Sequence, residues 1–253
     1  MGTGAAIWVS IPLAVAGLAA YTRWIRERGS RLGATPFGVA DTASAGVLAL
    51  WFLSLLASSG GAEVAVTPSV IAASAVVYGG IVGLIVTSLI VRRISLRAAF
   101  GFGWKPGDGR MVVGGLLAVL PVVFAAQGLT SIFSEGGRQP LLDYWMANPG
   151  PGARALVVVM AVVVAPVCEE FLFRGYLFNV GRKYAGTWWA MLVASLLFAA
   201  IHGHLPSVPG LLLLAVGFNL VYVWTGSLLA PIVMHAIFNG LSLLAALLWP
   251  GIA

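Results

Sequence analysis

Two adjacent carboxylates, Glu169 and Glu170, and an arginine, Arg174, stand in the run Ala165-Pro-Val-Cys-Glu-Glu-Phe-Leu-Phe-Arg-Gly-Tyr-Leu-Phe178. The preceding apolar stretch, Ala155 to Val164, is long enough to be entering a bilayer. Charge at membrane depth is costly and is usually placed there for function. Glu170 and Arg174 are four residues apart, so on a helix they share a face and can pair. Glu169 is rotated by roughly 100° from Glu170, which leaves the second carboxylate free for another task. The plainer alternative is a structural knot of three charges between helices. The other titratable groups argue against it. All three histidines, His202, His204 and His235, follow the Glu-Glu pair. His235 and Asn239 share one helical face at i and i+4, and Phe198 and His202 have the same spacing. A carboxylate, two imidazoles and an amide are a hydrolytic set. Glutamate and histidine within hydrogen-bond reach can take a proton from water. A second histidine and an asparagine can donate to the oxyanion that grows on an attacked carbonyl. Exclusion of bulk water strengthens all of these interactions.

The elements that must position these groups are membrane spans. The 253 residues are 60% hydrophobic and 9% charged, with mean hydropathy +1.00, whereas soluble domains carry about 25% charged residues. The expected fold is therefore all-α, a single polytopic membrane domain over residues 1–253. The net charge of +6 is no nucleic-acid signal, because the basic residues sit in short loops between apolar runs, as in membrane topology determinants. The single cysteine, Cys168, excludes an intrachain disulfide and a multi-cysteine zinc site; it reads as a small buried residue beside Glu169.

Taking a span as roughly 17–25 mostly apolar residues, the sequence predicts eight. They are Gly4 to Tyr21, Thr42 to Ser58, Ser69 to Val91, Met111 to Ala126, Ala153 onward through the Glu-Glu motif, Trp188 to His202, Gly210 to Trp224, and Leu228 to Trp249. The first is followed, not preceded, by its arginines, so it reads as a retained span and not a signal peptide. Pro166 should kink the fifth, which can run on to Lys183. The longest non-apolar segment, Gln127 to Gly152, is rich in aromatics and reads as a lid on the membrane surface. Residues 1–126 form four accessory spans and residues 153–249 a catalytic four-helix core. The loops after the first, third and fifth spans hold eleven of the fourteen basic residues, which places them in the cytoplasm and both termini outside.

Depth links the motifs. At 1.5 Å per helical residue, Glu169 lies roughly 20 Å above Arg182, His202 roughly 21 Å above Trp188, and His235 and Asn239 roughly 12 and 18 Å above Ser227. Three helices thus carry their polar groups to a similar level, in the middle to outer half of the bilayer.

Glu169-Glu-Phe-Leu-Phe-Arg174 fits E-E-x-x-x-R, Phe198-Ala-Ala-Ile-His202 fits F-x-x-x-H, and His235-Ala-Ile-Phe-Asn239 fits H-x-x-x-N. In this order and on separate helices, the three motifs resemble the CAAX-protease and bacteriocin-processing family of intramembrane glutamate-type proteases. The resemblance covers roughly Ala153 to Leu248. It implies that Glu169 and His202 activate water and that His235 and Asn239 form the oxyanion hole, with Glu170, Arg174 and Phe198 in support and no cofactor. It also implies membrane lipid and a membrane-associated or membrane-anchored peptide as partners, with no nucleic acid, in a bacterial inner membrane. The family's eukaryotic branch trims prenylated carboxyl termini; for a bacterial member, peptide leaders and carboxyl-terminal anchor segments are the alternatives. A zinc metalloprotease with Glu169, His202 and His235 as ligands is the rival enzyme, although H-E-x-x-H is absent. A non-catalytic scaffold, an immunity protein or a proton-coupled transporter using the Glu pair and His235 is the rival from another class.

Overall fold

The computed structural model describes residues 16, 20, 21, 23, 29–59, 65–133 and 139–248. Among them there are helices and no strand. They are α1 (Val39–Ser59), α2 (Pro68–Val91), α3 (Leu96–Phe100), α4 (Asp108–Phe133), α5 (Pro140–Ala147), α6 (Pro151–Val158), α7 (Ala165–Glu170), α8 (Asn179–Ala200), α9 (Val208–Thr225) and α10 (Leu229–Leu248). Two π-helical segments, π1 (Val159–Val164) and π2 (Phe171–Phe178), flank α7 and join α6 to α8 without a break in the helix.

Six helices are long and apolar enough to cross a bilayer: Val39–Ala57, Pro68–Val91, Asp108–Thr130, Pro151–Ala200, Leu205–Thr225 and Leu229–Leu248. The chain is a polytopic, all-helical membrane protein. Pro151–Ala200 has 50 residues, about 75 Å of helix if straight, against a hydrocarbon core of about 30 Å. It is folded double at Gly186, whose φ of 79° and ψ of 168° lie outside the helical region. The two legs pack closely, with the rings of Phe173 and Phe198 5.3 Å apart. A Cβ on Gly181 would stand 3.3 Å from that of Ala190. The fifth and sixth expected spans are therefore the two legs of one hairpin. The first expected span, Gly4 to Tyr21, lies almost wholly outside the described residues.

The Gln127–Gly152 segment is shorter as a loop than its composition implies. Helix α4 continues past Ala126 to Phe133, with no proline among residues 127–133 to end it. Helix α5 then forms, starting on Pro140 at its first turn. Its Trp145 is buried and joins Val157, Met160, Ala161, Leu243 and Ala246 in an apolar cluster. Arg154 lies over the Trp145 ring at 5.3 Å.

Helix α9 is the axis of the larger core. Leu214, Ala215, Phe218, Val221 and Tyr222 are fully buried on it, and it packs tightly on α4, where the missing side chain of Gly217 admits Val119. Helix α2 is peripheral, with only 6% of its span buried.

One end of the bundle is tied by basic residues. Arg92 donates two hydrogen bonds to Asp41, at 2.5 and 2.7 Å, and the Tyr176 hydroxyl donates to Asp41 O. Arg182 donates to Gly33 O at 2.8 Å, Lys183 to Phe37 O, and Arg31 lies 3.5 Å from Asp108. Two glycines with positive φ make this closure possible: a Cβ on Gly101 would fall 2.0 Å from Gly226 O, and one on Gly226 would fall 2.7 Å from Arg31 O.

Candidate active site

The Glu-Glu motif sits on a helix that departs from α geometry on both sides. In π1 the Ala165 N–H reaches Met160 O, five residues back. Widened turns of this kind recur at functional sites and change the direction in which the following side chains point. In π2 the carbonyls of Arg174 and Gly175 both accept from Asn179 Nδ2, at 3.2 and 2.9 Å.

Glu170 is fully buried. Its Oε1 accepts from Arg174 Nη1 at 3.0 Å, the pairing that the i, i+4 spacing implies. The same oxygen accepts from His235 Nδ1 at 2.8 Å, a contact across 65 residues that no local pattern announces. Arg174 is also fully buried. Its Nη2 donates to Ala215 O at 3.0 Å, and its guanidinium lies over Phe198 at 4.5 Å and Phe218 at 5.1 Å. Phe218 in turn stacks on His235 with centroids 4.8 Å apart and an interplanar angle of 23°. The ring of His235 is thus held from its edge by Glu170 and from its face by Phe218.

Glu169 is directed differently. It is 6% exposed, and its Oε2 stands 4.0 Å from His235 Nε2, too far for a hydrogen bond but close enough for one atom of a reactant to be shared. Tyr78 of α2 comes within electrostatic range of Glu169 and Cys168, and it is packed where the two apolar clusters meet. Cys168 is buried beside Glu169.

His202, at the end of the second leg, pairs its Nδ1 with Phe198 O at 2.7 Å. A carbonyl can only accept, so Nδ1 carries a proton, and in the neutral tautomer with that proton the lone pair is on Nε2. Phe198 is the shared wall of the site: its centroid lies 4.8 Å from His202 and 5.9 Å from His235. Asn239 turns its Nδ2 onto Ala161 O of π1 at 2.8 Å. His204 is elsewhere, paired with Ser207 Oγ at 2.8 Å.

Glu169, Glu170, Arg174 and His235 therefore form one contiguous cluster, and His202 adjoins it through Phe198. Asn239 shares α10 with His235 and is tethered to the helix that carries the glutamates. The sequence reading lacks the Glu170–His235 bond, the Phe218 stack and the Ala215 carbonyl. Among the described residues, no three of His, Cys, Asp and Glu are grouped as a metal ion would require. Chemically, the cluster offers one buried carboxylate committed to Arg174 and His235, a second carboxylate with no hydrogen-bond partner among the described residues, and an imidazole whose Nε2 is left for a reactant.

Paired glutamates and a histidine are thus grouped inside an all-helical membrane bundle, with a second histidine and an asparagine beside them. Residues 151–241 match the family model described as Type II CAAX prenyl endopeptidase Rce1-like. It is 34% identical over 101 residues to the membrane-embedded CAAX protease MroQ of Staphylococcus aureus (strain USA300), covering 38% of this chain and 41% of that protein. It is 35% identical over 134 residues to an uncharacterized 24.3 kDa protein of Escherichia coli, covering 51% and 62%. YdiL of Bacillus subtilis (strain 168), provisionally named a membrane peptidase, is 25% identical over 167 residues, covering 62% and 64%. In each case the chain spans less than two thirds of the relative's length. No solved structure matches.

Proposed function

We propose that this protein is an intramembrane endopeptidase that hydrolyses a peptide bond with water activated by Glu169 and His202. The observation that carries the reading is the division of labour between the two glutamates. Glu170 is consumed by Arg174 and His235, whereas Glu169 has no hydrogen-bond partner among the described residues and faces the same imidazole at 4.0 Å.

Water held between Glu169 and His202 Nε2 gives up a proton to one of them as its oxygen adds to the peptide carbonyl carbon. The carbonyl oxygen becomes an oxyanion. It receives hydrogen bonds from the second Nδ2–H of Asn239 and from His235 Nε2–H. Because His235 Nδ1 already donates to Glu170, Nε2 can donate only if the ring is an imidazolium. The charges of the cluster support this: two carboxylates and one guanidinium leave one negative charge, which a cationic His235 neutralises. Buried charge without a partner is costly. When the intermediate collapses, the C–N bond breaks, and the proton taken from water passes to the departing amine. No metal takes part in this scheme. The substrate class is a membrane-associated or membrane-anchored peptide, such as a bacterial leader peptide or a carboxyl-terminal anchor segment, with the protein in a bacterial inner membrane and both termini outside. Prenylated carboxyl termini, the class in the family's description, are the comparison substrate.

The test is cleavage of a membrane-anchored peptide reporter by the purified protein in liposomes. Glu169→Gln should abolish cleavage while the protein stays folded. Wild-type turnover by that variant would overturn the proposal. Proton-coupled uptake without any cleavage by the wild type would replace it with a transporter.

A further inference from the structure

Asn239 is anchored at a point where the helix lacks a donor. In π1 the Ala165 N–H is bonded to Met160 O, so the next rung of that ladder would run from residue 166 to Ala161 O. Pro166 has no N–H. The α-helical partner of Ala161 O would be the Ala165 N–H, which is already taken by Met160 O, so residue 166 is the one helical position left to serve it. The carbonyl is left over in either register, on a residue that is 6% exposed, where an unpaired backbone group is unfavourable. Asn239 fills the gap from α10, 78 residues later, with Nδ2 donating at 2.8 Å. A primary amide nitrogen carries two hydrogens. Committing one to Ala161 O fixes the plane of the amide and hence the direction of the other.

We propose that Pro166 is a positioning residue for the reaction: by depriving Ala161 O of a helical partner, it creates the acceptor that orients the Asn239 amide. The second Nδ2–H is then preorganised for the reacting carbonyl oxygen, and preorganisation is what makes such donors effective. This inference rests on the reading of Asn239 as an oxyanion donor. It assigns to Pro166 a role other than bending the helix, since the consequence follows from the missing donor and not from the ring.

The test is a double-mutant cycle on the full chain in liposomes, with kcat and KM measured for Pro166→Ala, Asn239→Ala and the pair. Pro166→Ala restores an N–H that competes with Asn239 for Ala161 O. It should melt no lower than wild type and keep KM within about twofold, while kcat falls by about tenfold or more. Asn239→Ala should lose about 100- to 1,000-fold in kcat, and adding Pro166→Ala to it should change nothing further. A backbone ester at position 166, with an α-hydroxy acid replacing proline, supplies no donor and should retain wild-type kcat. Unchanged kcat in Pro166→Ala, multiplying effects in the double variant, or an inactive ester would overturn the role of Pro166. If Asn239→Ala alone keeps wild-type kcat, the oxyanion reading fails instead, whatever Pro166 does.

Discussion

Replacing Glu170 should cost far more stability than replacing its neighbour Glu169, although both are buried carboxylates in one motif. Glu170 Oε1 accepts from Arg174 at 3.0 Å and from His235 at 2.8 Å. Glu170→Ala removes both bonds and leaves the fully buried guanidinium with Ala215 O and two ring faces as its remaining partners. Breaking a buried pair from one side typically costs about 3–5 kcal/mol. Arg174 Nε already lacks a partner among the described residues, so little slack exists for the guanidinium to recover, and the upper part of that range is expected. Glu170→Gln keeps an acceptor oxygen and loses only the charge. Each charge-assisted bond then weakens by about 1 kcal/mol, for a loss of about 2 kcal/mol. Glu169 stands 4.0 Å from His235 Nε2 and makes no hydrogen bond among the described residues, so Glu169→Gln breaks no bond and should cost less than about 1 kcal/mol. Equilibrium unfolding in mixed micelles of mild detergent and dodecyl sulfate, followed by fluorescence of the nine tryptophans, reads all three variants. The expected order of loss is Glu170→Ala, then Glu170→Gln, then Glu169→Gln. Equal losses for Glu170→Gln and Glu169→Gln would refute the assigned division of roles.

Asn239→Ala and His235→Ala should both depress kcat strongly with little change in KM, whereas a zinc site would make His235 indispensable and Asn239 a bystander. Enzyme dialysed exhaustively against chelator and checked for metal content should keep full activity; loss that stoichiometric zinc restores would promote the metalloprotease. Gly101→Ala should cost at least about 2 kcal/mol, since it combines a left-handed backbone with a Cβ 2.0 Å from Gly226 O, and a melting temperature equal to wild type would refute the closure described for that end of the bundle. Reporter fusions should give a cytoplasmic signal at Gly103 and an outside signal at Asn148, and the reverse pattern would invert the orientation.

The sequence by itself determined the solvent and the local pairings. A chain of 60% hydrophobic and 9% charged residues has to meet its backbone hydrogen bonds inside helices in a bilayer. The i, i+4 spacing of Glu170 and Arg174 sufficed to pair them, because helical periodicity is a property of neighbours. The hairpin at Gly186 was legible only as two apolar runs, since nothing in a glycine's identity states that the legs will pack. Tertiary structure alone decided what the second partner of each site residue would be. Glu170 meets His235 across 65 residues, Arg174 meets Ala215 O across 41, and Asn239 meets Ala161 O across 78. These pairings depend on which faces α9 and α10 turn toward the π-widened helix. That rotation is set by packing, such as Val119 entering the space at Gly217, and by the register that the π segments shift. Periodicity counted along one helix carries no information about the phase of its neighbour, so the motifs could name candidate residues while only the packed bundle could say which of them hold one another in place.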